Sequence, residues 1–278
     1  MPQSQREGLE EALMAQAETV GEAATTTGDM PQHRRIGPPY AIKYPRRRLV
    51  RYTLRTLAGL AIRLFGRLSV SGLENIPKSG PVVLAANHFA FIDPPLVLRA
   101  SPRLVEFVGG ARNPGAPGWT PSFPAMWGVI RAYRGTFSRS TLDQSIGVLE
   151  QGGVLGIFPE GGNWATVLRP ARPGAAFIAI HTGAPIVPVS ITGAVGFLGK
   201  QSRKASVTFH PAILPPSTTL TGRARRVALD AFGDEIMARI ASGLPDADRG
   251  KFSSCPEARA AAEAVSAYPF DAPEMRGI

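Results

Sequence analysis

The residues best placed to do chemistry lie in one short run, Ala86-Asn87-His88-Phe89-Ala90-Phe91-Ile92-Asp93-Pro94-Pro95. It follows an apolar segment, residues 81–86, and leads into a helix-start signal. Asp93 suits a helix cap, and Pro94 loses no needed N–H at the first helical position. A loop leaving a strand and entering a cap lets the Asp93 carboxylate meet a ring nitrogen of His88. That contact fixes the imidazole tautomer and leaves the other nitrogen as a general base. The same residues also fit a plain aspartate cap with a histidine nearby, so both readings stand at this level.

Two further segments add polar groups. Phe158-Pro159-Glu160-Gly161-Gly162 follows the apolar run 154–158, and its proline and glycines shape a tight turn with a carboxylate at the tip. Arg134-Gly135-Thr136 sets an arginine beside a glycine turn, which suits a phosphate or carboxylate clamp as well as plain exposed surface. A nucleophile is not evident. There is no Gly-x-Ser-x-Gly elbow, and the one cysteine, Cys255, sits in a polar C-terminal stretch. A base at His88 would therefore act on a substrate hydroxyl or on water. His33, His181 and His210 are scattered singly, so no metal-ligand cluster is expected.

The elements that must position these groups alternate in type. Residues 81–86, 104–108, 154–158, 186–191 and 205–210 read as strands, and 142–151, 174–182 and 223–244 as helices. Strands separated by helix-length segments predict an α/β fold: a single domain with a mostly parallel sheet flanked by helices. Ahead of it, residues 47–68 have helical spacing, with Val50, Leu54, Leu57, Ala61, Leu64 and Leu68 on one face and Arg48, Arg51, Arg55 and Arg63 on the other. The expected organisation is a flexible tail over 1–42, a basic amphipathic helix over 43–68, the main domain over 69–245 and a C-terminal tail over 246–278. A weak helix within 9–19 is the one element expected in the first tail.

Charge narrows the partners. The chain has 278 residues, 31 Lys+Arg against 21 Asp+Glu, and a formal net charge of +10. Residues 43–68 supply eight positive charges and no acid. A positive patch confined to one amphipathic helix, without stacking aromatics or a zinc-finger pattern, argues against nucleic acid and for an anionic lipid surface. One cysteine excludes a disulfide-stapled scaffold. No run of 18 apolar residues and no signal-peptide pattern are present, so peripheral docking on the cytoplasmic face of a membrane is expected. No signal for an oligomeric state stands out.

Together the segments resemble the glycerolipid acyltransferases typified by lysophosphatidic acid acyltransferase. Asn87, His88 and Asp93 match that family's Asn-His-x-x-x-x-Asp block, and Arg134-Gly135-Thr136 its arginine block. Phe158, Pro159, Glu160 and Gly161 match its Phe-Pro-Glu-Gly block, and Ile186-Val187-Pro188-Val189 its proline-bearing strand. The similarity covers roughly residues 70–215. It implies that His88, oriented by Asp93, deprotonates an acceptor hydroxyl, which attacks an acyl-CoA or acyl carrier protein thioester. It also implies substrate contacts from Asn87, Arg134, Gly135, Thr136, the 158–161 turn and Arg172, and it calls for no metal or other cofactor. Where the family usually continues with a small residue, Arg and Ser, this chain has Gly162-Asn163-Trp164. Another cation, Arg169 or Arg172, would then hold the acceptor's phosphate, or the acceptor is a different lipid or glycolipid. A thioester hydrolase using the same pair is the remaining alternative.

Overall fold

The computed structural model describes residues 42–110, 122–133, 138–197, 203–217 and 220–267. Arg134, Gly135 and Thr136, the segment 9–19 and nearly all of the 1–42 tail lie outside the described residues. Seven strands form one sheet in the order β1-β7-β6-β2-β5-β3-β4. They are β1 (Arg67–Ser71), β2 (Val82–Ala86), β3 (Val105–Gly110), β4 (Ile130–Ala132), β5 (Val154–Ile157), β6 (Ile186–Thr192) and β7 (Lys204–Phe209). The five strands from β6 to β4 run parallel. β7 pairs antiparallel with β6, and β1 pairs parallel with β7. The fold is thus the expected α/β domain with a mostly parallel sheet.

All five residues of β2 are buried, as befits a central strand covered on both faces. Its alternation divides the core. Val82, Leu84 and Ala86 join one apolar cluster with Leu96, Trp127 and Val189, while Val83 and Ala85 join another with Ile178, Phe232 and Ile236. The first face is covered by α1 (Arg48–Phe65), α2 (Asp93–Ala100) and α3 (Ser122–Trp127). The second lies under α4 (Arg139–Glu150), α5 (Gly174–Thr182) and α6 (Gly222–Ser242). A last helix, α7 (Pro256–Ala264), follows.

Two expectations about the N-terminal helix are corrected. The helical spacing carries on to Leu68, but α1 stops at Phe65 and Arg67 opens β1. Gly66 makes the change because a Cβ there would lie 2.4 Å from the Arg203 carbonyl oxygen and 2.7 Å from the Phe197 ring. The helix is also rotated from the expected facing. Arg51, predicted on the outer basic face, is fully buried, with Leu54, Ala58 and Ile62 beside it on the inward side. Arg51 donates to the buried Glu106 of β3 and to the Trp127 carbonyl at 3.0 Å, and its guanidinium lies over the Trp127 ring. Leu49, Val50, Leu57, Leu60 and Leu64 consequently form an exposed stripe, with Leu64 70% exposed. Arg48 and Arg63 remain outward, and Arg55 is half-buried, its pKa lowered by burial and by Arg99.

Candidate active site

The His88 loop leaves the carboxyl end of β2, where open α/β sheets place their ligands. His88 Nδ1 lies 2.9 Å from Asp93 Oδ2. With the proton on Nδ1 the ring donates to the carboxylate, and Nε2 is left as a lone-pair acceptor. The same Oδ2 accepts the N–H groups of Phe89 and Ala90, each at 2.7 Å. Asp93 is fully buried, whereas the His88 side chain keeps 15% of its surface open. The aspartate does not cap its helix as the sequence suggests. Ile92 takes that position without a side-chain bond, and Asp93 is the first helical residue, its carboxylate turned back onto the loop. Phe158 fixes the imidazole plane, stacking on it at a centroid distance of 4.2 Å, and Phe107 stacks on Phe158 at 5.8 Å.

A second buried pair holds the loop from behind. The His88 N–H donates to Glu160 Oε1 at 2.7 Å. Glu160 Oε2 accepts from the Arg169 backbone N–H at 3.1 Å and from Arg169 Nε at 3.0 Å. Arg169 also reaches the His88 carbonyl at 3.4 Å and the Gly162 carbonyl, and Trp164 covers its guanidinium at 3.6 Å. The His88 peptide is therefore gripped at its N–H by Glu160 and at its C=O by Arg169. Burial pushes the Glu160 carboxyl up to about 7, against the opposing pull of Arg169 and the His88 N–H. Gly161 leaves the turn at φ 81, a left-handed conformation that favours glycine.

Two residues expected at the substrate, Asn87 and Glu160, have buried side chains. Asn87 is fully buried, and its amide bridges β2 to β6, donating to the Ile191 carbonyl at 3.0 Å and accepting the Ile191 N–H at 2.7 Å. Glu160 is buried and committed to His88 and Arg169 rather than to an open surface. Pro159 is buried as well, and its carbonyl accepts the Arg172 N–H at 2.7 Å. Arg172 is exposed and, with Trp164 and Ser266, lines a cavity of about 250 Å³ that reaches the Glu160–Arg169 pair. Among the described residues no set of three His, Cys, Asp or Glu side chains gathers as metal ligands would. Glu106 and its partner Arg46 were not singled out by sequence. The available signal was an acid inside the apolar run 104–108, which burial obliges to find a cation.

Residues 67–192 match the family model described as Acyltransferase. The chain is 31% identical over 166 residues to a chloroplastic 1-acyl-sn-glycerol-3-phosphate acyltransferase of Brassica napus, covering 56% of this chain and 47% of that one. It is 29% identical over 146 residues to the 1-acyl-sn-glycerol-3-phosphate acyltransferase of Borreliella burgdorferi, covering 48% and 54%. The chain thus spans about half the length of these curated relatives. Among solved structures, the 1-acyl-sn-glycerophosphate (LPA) acyltransferase PlsC from Thermotoga maritima aligns with a TM-score of 0.47 and 25% identity, over 69% of this chain and 81% of that one. Over residues 67–192 the chain is thus similar to the acyltransferases, in line with the family its sequence blocks resemble.

Proposed function

We propose that this chain is an O-acyltransferase that moves a fatty acyl group from a thioester, acyl-CoA or acyl carrier protein, to the free hydroxyl of a lysophospholipid such as lysophosphatidic acid. The observation that carries the reading is the His88–Asp93 pair, held at 2.9 Å within the stretch that matches the acyltransferase family. His88 Nε2 takes the acceptor's hydroxyl proton as that oxygen bonds to the thioester carbonyl carbon. The carbon–sulfur bond then breaks, and the proton passes from His88 to the departing thiolate, so the products are an ester and a free thiol. Asp93 stabilises the transient imidazolium. Arg172, at the cavity behind the His88 loop, and Arg134, in the second family block, supply positive charge for the acceptor's phosphate.

The same reading places the protein peripherally, on the cytoplasmic face of a membrane, where its substrates reside. The leucine stripe of α1 supports docking, and no described helix is long and apolar enough to cross a bilayer.

Thiol release from long-chain acyl-CoA, with and without lysophosphatidic acid, tests the proposal. His88→Ala should lower acceptor-dependent release by roughly 10²–10⁴-fold, the usual worth of a positioned general base. Undiminished release in that variant overturns the mechanism. Equal release without acceptor reassigns the chain as a hydrolase.

A further inference from the structure

A second feature lies on the same rim of the sheet as His88. Register fixes the placement. Ala86 of β2 pairs with Val189 of β6, and Thr192, at the end of β6, pairs with Ser206 of the antiparallel β7. Lys204, at the start of β7, pairs with Arg67, at the start of β1. The chain ends that carry Arg67, Arg203 and Lys204 therefore face the way His88 does. β7 and β1 lie two and three strand spacings from β2, roughly 10 and 14 Å at ~4.8 Å per strand. The C-terminal turn of α1 arrives at this rim too, because Gly66 alone separates Phe65 from β1.

There Arg63, Leu64, Phe65, Arg67, Arg203 and Lys204 line an open groove of about 510 Å³. Four lining residues are cationic and none is acidic. Leu64 and Phe65 are 70% and 54% exposed, and Leu64 continues the leucine stripe of α1. A free anion would need only the charges. A groove that pairs cations with two projecting apolar side chains fits a headgroup phosphate that has acyl chains beside it.

We propose that this groove docks the headgroups of anionic phospholipids in a bilayer, while Leu64 and Phe65 enter the acyl boundary, so that the His88 rim is turned toward the lipid phase. The proposal rests on the membrane-facing reading above and moves its electrostatic contact. The anionic contact is made by Arg63 with Arg67, Arg203 and Lys204 at the sheet rim, not by a row of arginines along α1.

The test is co-sedimentation of the full chain with vesicles of phosphatidylcholine alone or with 30 mol% phosphatidylglycerol, in ~0.1 M salt. The triple substitution Arg63→Gln, Arg67→Gln, Arg203→Gln should weaken binding to the anionic vesicles by about 100-fold, at roughly fivefold per charge. Leu64→Ser with Phe65→Ser should weaken binding to both vesicle types. All five side chains are exposed, so thermal midpoints should match wild type. Wild-type affinity in the triple variant overturns the proposal. So does release from vesicles by millimolar inorganic phosphate at matched ionic strength, which would mark a free-anion site. Acyl transfer is not read in this assay, so failure of the proposed reaction would show separately.

Discussion

Two carboxylates are buried in this molecule beside arginine, and they serve different ends. Glu106 on β3 is enclosed by cations: Arg51 contacts both of its oxygens, and Arg46 adds bonds at 3.0 and 3.1 Å. Both arginines come from α1 or its entry, so the cluster fastens the amphipathic helix to the sheet. Glu160 has one arginine and spends its other oxygen on the His88 N–H. A carboxylate saturated with cations acts as a rivet, whereas one shared with the His88 loop sets that loop's position. A buried ion pair alone does not distinguish these roles; the identity of the third partner does.

The largest expected effect is on the rivet. Glu106→Ala leaves two guanidiniums without a counter-charge, and should lower unfolding free energy by about 3–5 kcal/mol in denaturant titration. Turnover per folded molecule should stay near wild type; a collapse of turnover without a loss of stability would erase the contrast. Glu160→Gln keeps an acceptor for the His88 N–H but removes the charge facing Arg169. It should lower kcat by about tenfold, equivalent to ~1.4 kcal/mol, with little change in KM for the acyl donor. An unchanged kcat would make Glu160 a second rivet.

The last effect is a pH slope. Glu160 titrates near 7 when folded, against 4.5 for an ordinary glutamate, so the folded chain holds a proton that the unfolded chain releases. The stability this contributes is fully present below about 4.5 and is lost as pH rises through about 7. Unfolding midpoints compared across that window should show this fall in wild type and not in Glu160→Gln. Parallel slopes would refute the assignment.

Local features of the fold and site were legible in the sequence. His88 and Asp93 are five residues apart, and the spacing was enough to bring them together. β2, β5 and β6 read as apolar runs because both faces of the sheet are covered there, whereas β7 was legible from its alternation, with Ala205, Val207 and Phe209 buried. β4 was not legible because three residues carry no period. β1 was hidden because Leu68 continues the helical spacing, and the stop at Gly66 depends on the distant Phe197 ring and Arg203 backbone. Arg51 and Glu106 are 55 residues apart, and only the packed fold reveals that the arginine faces inward. The grip of Glu160 and Arg169 on the His88 peptide was similarly out of reach, because it joins the ends of two non-consecutive strands.

The two prolines after Asp93 have a consequence for how the site keeps its shape. Proline at 94 and 95 strips two amides from the helix entrance, so the first forward N–H belongs to Leu96, and that one is taken by the Ile92 carbonyl at 3.0 Å. No nearby helical donor competes for the carboxylate, and its loyalty to the histidine loop is settled by subtraction. Replacing either proline would place a rival suitor beside Asp93 without altering His88 or Asp93 itself.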